Sequence, residues 1–210
     1  MKRSVLAPAL ALTSLTLFST ASTPSSAEEV AFDFTDPKGV NGVVFVVDSE
    51  LEPIVGMIGG VSGDVTFDPD NPAAINGSVS VDIAQLSFIN PGMKGVLAGA
   101  DWLNFENKFI ATFEFEGVEA ADDSEGHSVP VQTRGTMKFG GMDVAKNIVI
   151  EATHLPDAAA DRGGAKEGDL LVLRAAFEIS RKDLGIKEDM PGDKVGETIS
   201  VIVPIVGYSK

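Results

Sequence analysis

The feature that most constrains this chain is alternation at period two. In Phe109-Ile110-Ala111-Thr112-Phe113-Glu114-Phe115-Glu116 the odd positions are apolar, and Thr112, Glu114 and Glu116 are polar. Successive side chains of a strand point to opposite faces, so the pattern predicts a strand with one buried and one wet face. Residues 78–83 repeat it, with Val79, Val81 and Ile83 set against Ser78, Ser80 and Asp82. Leu171, Leu173, Ala175, Phe177 and Ile179 alternate with Arg174, Glu178 and Ser180, and Ile199, Val201, Val203 and Ile205 form one further face. Weaker strand candidates are residues 31–35, 43–48, 54–67, 131–139 and 144–153. The 54–67 run holds Gly56, Gly59, Gly60 and Gly63, and glycines inside a strand mark bends or bulges.

Asp68-Pro69-Asp70-Asn71-Pro72 and Asn76-Gly77 read as turns. Residues 157–168 read as a polar, flexible loop, and residues 181–184 as a single turn. One helix is predicted over residues 93–102, where Met93, Val96, Leu97 and Ala100 recur at helical spacing after Pro91-Gly92. No repeat of 20–50 residues is present, which argues against solenoids and propellers. The expectation is an all-β chain of about eight antiparallel strands with one short helix capping one end. Such a sheet closes on itself or packs on a second sheet. A closed barrel and a sandwich both satisfy the alternation.

The first 27 residues read as a secretory signal peptide. Lys2 and Arg3 precede an apolar run from Val5 to Leu17, and small polar residues lead to Ser25-Ser26-Ala27. Ser19-Thr20-Ala21 is a second cleavage candidate. A transmembrane anchor is the competing reading, but the run is short for a span and Pro8 interrupts it. The domain is therefore expected over residues 28–210, exported to the periplasm or the extracellular medium, with no stable membrane insertion. The leader carries two basic and no acidic side chains, so its loss takes the net charge from -15 to -17.

That charge excludes nucleic acid as a partner, because phosphate binding needs clustered Lys and Arg. It also opposes electrostatic adhesion to anionic lipid. The absence of cysteine removes disulfide scaffolds, thiolate metal sites, thiol nucleophiles and N-terminal lipidation on Cys.

Catalytic patterns are missing. The two histidines, His127 in an acidic loop and His154 near Pro156, read as surface or loop-edge residues. No H-x-H or H-x-x-x-H spacing points to a metal, and there is no G-x-S-x-G elbow or phosphate-cradling glycine loop. Asp68-Pro69-Asp70-Asn71 has oxygen ligands in close sequence but lacks the glycine and closing glutamate of a calcium loop, so it reads as a turn. Glu114 and Glu116 read as a solvated strand face. No catalytic residue, metal or cofactor is assigned. Trp102, the single tryptophan, reads as a packed plug over one end of the sheet or as part of a ligand-pocket wall.

Five blocks in order resemble the YceI-like family, also called lipid- or polyisoprenoid-binding. They are Ser62-Gly63-Asp64-Val65-Thr66-Phe67-Asp68-Pro69 with residues 77–83; Leu97, Asp101-Trp102-Leu103 and residues 109–113; Arg134-Gly135-Thr136-Met137-Lys138-Phe139-Gly140-Gly141-Met142; Phe177-Glu178-Ile179-Ser180-Arg181-Lys182-Asp183-Leu184-Gly185; and Val195-Gly196-Glu197-Thr198-Ile199. The resemblance implies a lipocalin-like antiparallel β-barrel. It further implies a polyisoprenoid, isoprenoid quinone or fatty-acyl tail held inside, no catalytic residues, and a homodimer. Where family members often carry a histidine in the second strand, this chain has Val46-Val47-Asp48, and its one tyrosine is Tyr208.

Eight strands make an interior just wide enough for its own side chains or for one ligand. With odd positions inward, Val79, Val81, Phe113, Phe115, Leu173, Phe177 and Val201 line it, and Trp102 joins them as a ligand-binding candidate. The expected function is a soluble exported carrier of a long-chain lipid, for transport, storage or stress protection. Two other readings stand beside it. One is a barrel enzyme acting on an isoprenoid or quinone precursor, and the other an envelope interaction protein with a filled core.

Overall fold

The computed structural model describes residues 29–100, 102–104, 110–121, 128–165 and 167–210. The leader with its cleavage site, Phe109 and His127 lie outside the described residues. Eleven strands follow one another: β1 (Val30–Asp33), β2 (Val43–Val47), β3 (Ile54–Ile58), β4 (Ser62–Phe67), β5 (Asn76–Asp82), β6 (Leu86–Phe88), β7 (Ile110–Ala121), β8 (Ser128–Phe139), β9 (Met142–Leu155), β10 (Leu170–Ser180) and β11 (Thr198–Ser209). Two short helices, α1 (Gly92–Leu97) and α2 (Ala159–Arg162), accompany them.

All pairings are antiparallel. The order runs β1-β4-β5-β7-β8-β9-β10-β11, and β11 pairs back to β1. This closes a barrel of eight strand positions and removes the free edges a sheet would otherwise expose. The closure decides between barrel and sandwich.

The three remaining strands extend positions of the barrel already formed. β1 and β2 lie along the same edge of β11, with Phe32 and Asp33 opposite Ser209 and Tyr208, and Val47 opposite Ile199. β4 pairs with β1 and β5, while β3 pairs with β2 and β6. The predicted run 54–67 is thus one strand position broken at Gly59-Gly60. Gly60 has φ +61, a left-handed conformation that glycine adopts without steric cost. Its carbonyl accepts the Asp82 N–H at 3.3 Å.

Two expectations about local structure change. The helix predicted over residues 93–102 ends at Leu97, in a segment that Gly92, Gly95 and Gly99 make a poor helix. The loop predicted over residues 157–168 contains α2 and is fixed to its surroundings. Arg162 donates to both carboxylate oxygens of Asp36, at 2.9 and 3.0 Å, and Nη1 also donates to the Tyr208 hydroxyl. Tyr208 donates onward to the Gly163 carbonyl at 2.6 Å. Ala159 packs in a small buried cluster with Leu170 and Tyr208. The Asp68 turn is an Asx turn, its carboxylate accepting the Asp70 N–H at 2.9 Å.

The interior differs along the barrel axis. At the end where β4 and β11 finish, Phe32, Phe34, Val65, Phe67, Val131 and Leu171 are almost wholly excluded from solvent and pack as one cluster. At the end where β11 begins, a second cluster forms around Ile83, Phe139, Ile179, Leu184 and Ile186. Between and beside them, inward residues of β5, β7, β10 and β11 are only half-buried.

Candidate ligand cavity

Those half-buried side chains, with buried neighbours, surround a cavity of about 210 Å³ in the barrel. An apolar void of roughly 150 Å³ is already large enough to stay dry and accept a small hydrocarbon, so this space exceeds a packing defect. Val79, Val81, Phe113, Phe115, Leu173, Phe177 and Val201 all line it. Alternation brought these seven together because their strands are neighbours in register: Val79 lies opposite Phe113, and Phe177 opposite Val201.

Trp102 does not line this cavity. It borders a smaller adjoining pocket of about 70 Å³ with Phe45, Phe88, Leu97 and Arg181. Because α1 stops early, residues 98–104 turn back: Trp102 N–H donates to the Gly99 carbonyl and Leu103 N–H to the Leu97 carbonyl, each at 3.0 Å. The turn sends Leu103 to the cavity and leaves Trp102 beside it, with the Lys187 ammonium 5.7 Å from its ring centre. Phe45, Leu103, Ile186 and Ile199 border both spaces.

Sequence reasoning missed part of the wall. Val43 and Phe45 come from β2, Ile58 from β3, Leu86 from β6, and Leu184 and Ile186 from the segment after β10. The run Val43-Val44-Phe45-Val46-Val47 is apolar throughout, so alternation gave no inward face. Leu184 and Ile186 are not in a strand at all. They are held by Arg181, whose guanidinium is buried and donates to the carbonyls of Ile186 and Gly196, both at 3.0 Å, and to those of Lys187, Met190 and Val195. Five carbonyls converging on one planar cation fix residues 181–197 over the end of the barrel. The motif containing Arg181 was visible in the sequence; its carbonyl cage was not.

Two glycines make room for aromatic rings of the wall. A β-carbon on Gly135 would stand 2.3 Å from the Glu114 carbonyl oxygen and 2.5 Å from the Phe113 ring. One on Gly56 would stand 2.4 Å from the Phe45 ring. Each aromatic ring of the wall therefore packs directly against a glycine of the neighbouring strand.

The lining is almost without polarity. Among its described residues only Thr112 carries a polar side chain, and that hydroxyl is engaged with Ser80 Oγ at 2.8 Å. The chemistry available is dispersion and exclusion of water.

The titratable groups lie elsewhere. His154 Nε2 is 2.9 Å from Asp169 Oδ2, and its ring packs T-shaped against Phe32 with the ring centres 6.0 Å apart. The Asp157 N–H, together with His154, holds the Asp169 carboxyl below its usual range. Burial pushes the Asp36 carboxyl up, but hydrogen bonds from Arg162 and from the Lys38 and Val40 N–H groups, with the Arg162 charge, outweigh it and bring it to about 2. On the outer wall, Glu114 pairs with Lys138 at 2.7 Å, and Glu116 accepts from Thr136. None of these groups lines the cavity.

Solved structures share this architecture. The chain is similar to BcnA of Burkholderia cenocepacia at 18% identity and TM-score 0.62, over 79% of this chain and 95% of that one. It is similar to the Campylobacter jejuni YCEI protein at 15% identity and TM-score 0.58, over 74% and 84%. A polyisoprenoid binding domain from Saccharophagus degradans, implicated in plant cell wall breakdown, matches at 10% identity and TM-score 0.60, over 87% of this chain and all of that one (100%). At such identities the likeness concerns the fold. No curated protein matches the sequence. The model of the YceI-like domain matches residues 26–206, nearly the whole chain and all but the end of the barrel's last strand, and the chain belongs to that family.

Proposed function

We propose that this protein is an exported, soluble carrier that holds the apolar tail of a polyisoprenoid, or of another long-chain lipid such as an isoprenoid quinone or fatty-acyl derivative, inside its barrel. The observation that carries the reading is the 210 Å³ cavity whose one polar lining side chain is already hydrogen-bonded. The family, and the polyisoprenoid binding named for one structural neighbour, support it. Export rests on the leader in residues 1–27, which lies almost entirely before the matched domain. The role is transport, storage or protection of the tail, and it needs no cofactor and no catalytic residue.

The size of the cavity limits what it holds. Sites for drug-sized ligands run from about 300 to 1,000 Å³, so 210 Å³ takes one section of a long tail. The remainder passes between Phe45, Leu103, Ile186 and Ile199 toward the adjoining pocket. Each buried methylene contributes about 0.8 kcal/mol, and ten of them offset much of an association cost of roughly 4–15 kcal/mol.

A ladder of saturated fatty acids and isoprenoid alcohols, titrated in solution, tests this. Affinity is expected to rise about fourfold per added carbon until the tail outgrows the barrel, then level off. Affinity independent of chain length would refute the reading. The enzyme alternative requires an acid–base pair on the cavity wall, and the described lining supplies none. The filled-core alternative conflicts with the cavity itself.

A further inference from the structure

Two segments that cover the hollow half of the barrel are held differently. A connection as long as 181–197, without strand or helix, is often the moving part of a binding site. Here it is fixed. The Arg181 guanidinium gathers its carbonyls, Lys182 pairs with Glu197, and the Gly196 N–H donates to the buried Ser49 hydroxyl at 2.8 Å. Leu184 and Ile186 are buried in the cluster around Ile83 and Phe139. The opposite end of the barrel is filled by packed phenylalanines and fastened by the Asp36–Arg162 pair.

α1 has no comparable anchorage. Of its six residues only Leu97 is buried. Leu97 borders the adjoining pocket while its neighbour Val96 is 64% exposed, so the helix is a single layer between that pocket and solvent. Among the described residues, its hydrogen bonds beyond its own flanks are from the Leu103 N–H to the Leu97 carbonyl at 3.0 Å and from the exposed Lys94 ammonium to the Ala84 carbonyl at 2.7 Å. A helix this short, with glycine at 92 and 95, has little stability of its own. Elements with few buried apolar contacts open locally at low cost in free energy.

We propose that α1 is the entrance of the cavity: it unwinds and lifts from the barrel, taking Leu97 off the adjoining pocket, and a tail enters and leaves beneath it. The proposal rests on the tail-carrier reading and adds the route. From the pocket the tail passes between Phe45, Leu103, Ile186 and Ile199 into the main cavity, since these four residues border both spaces. Closure seats Leu97 again and shuts water from the tail. Entry and release share this one opening, so a change in the stability of α1 shifts both rates together and leaves the affinity alone.

Stopped-flow mixing with parinaric acid, a fluorescent polyene fatty acid excited through Trp102, reads both rates. Trp102 is the single tryptophan and borders the adjoining pocket. The chain has no cysteine, so an introduced pair can be bridged cleanly. Ala84→Cys with Lys94→Cys, joined by a short reductant-cleavable dimaleimide, pins α1 to the barrel at exposed positions outside both linings. The bridge is expected to slow binding and release at least about tenfold at unchanged affinity, and reduction to restore both. Gly95→Ala places a β-carbon where nothing stands within 4 Å. It strengthens the helix and is expected to slow both rates about fourfold. The same bridge across Lys182→Cys and Glu197→Cys is expected to change neither rate. Rates indifferent to the 84–94 bridge overturn the proposal, as do unchanged rates in Gly95→Ala. Equal slowing by the 182–197 bridge moves the entrance to that segment and overturns it as well. Wild-type protein that binds no parinaric acid sinks the carrier reading and this one with it, whereas equilibrium binding with rates blind to the α1 bridge sinks the entrance alone.

Discussion

The two halves of this barrel are built from the same strands and differ in what their inward side chains meet. In one half Phe32, Phe34, Val65, Phe67 and Leu171 fill one another and exclude solvent. In the other, Val79, Val81, Phe113, Phe177 and Val201 face a cavity and stay half-buried. The filled half has α2 and the 34–42 segment fastened over it by Asp36, Arg162 and Tyr208. The hollow half is walled by three interrupted strand positions and by a segment held on Arg181. Close packing fills one half, whereas in the other the packed cluster around Ile83, Phe139, Ile179, Leu184 and Ile186 stands beside a space left for a ligand.

The sharpest break of this comparison is a pair of truncations. Phe32→Ala is expected to cost about 3–5 kcal/mol, as a fully packed aromatic does. Phe177→Ala, whose ring already borders empty space, is expected to cost less than half of that, because fewer contacts are lost. Urea unfolding of both variants checks the difference, and equal costs would dissolve the distinction between the halves.

Arg181→Lys comes next. One ammonium cannot reach five carbonyls, and the acceptors left buried and unsatisfied are expected to cost about 2–3 kcal/mol. Thermal denaturation gives the loss, and hydrogen exchange should localise the loosening to residues 181–197.

Acid acts on the filled half. Asp36 titrates near 2 in the folded chain against 3.8 for an unperturbed carboxyl. Its contribution is therefore fully present above about pH 4 and is lost as pH falls toward 2, about 2 kcal/mol in all. Asp36→Asn should remove that part of the acid sensitivity, read as the difference in urea midpoint between pH 7 and pH 3.

The smallest expected stability change accompanies the largest expected functional one. Ala175 lines the cavity, and Ala175→Phe grows into existing space. Its effect on stability is expected to stay within about 1 kcal/mol, while tail binding is lost.

Alternation made half of this molecule legible. In β5, β7, β10 and β11 one face is core and the other is wet, so period two marked the inward residues and seven cavity-lining positions followed. It failed at β2, where valines and a phenylalanine occupy both faces, and at the 54–67 run, where glycines concealed a break between two strands. The segment carrying Leu184 and Ile186 has no period, because its position comes from one buried cation gathering carbonyls far apart in sequence. Trp102 borders the adjoining pocket rather than the main cavity for a local reason: the chain turns back after α1 and carries Leu103 to the main cavity. Neither the cavity nor its volume can be read from a list of apolar residues, since the same list describes a filled core. Phe45 and Phe113, two rings of its wall, pack against Gly56 and Gly135 of neighbouring strands, a contact that alternation does not show.

The most direct measurement is native mass spectrometry, followed by solvent extraction, of gently purified wild-type protein beside Ala175→Phe. The wild type is expected to carry one added mass matching an extractable long-chain lipid, and the variant to fly at its bare chain mass with its fold intact. A bare mass for the wild type with nothing extractable, or a lipid retained equally by the filled variant, would contradict a ligand seated in the hollow half of the barrel.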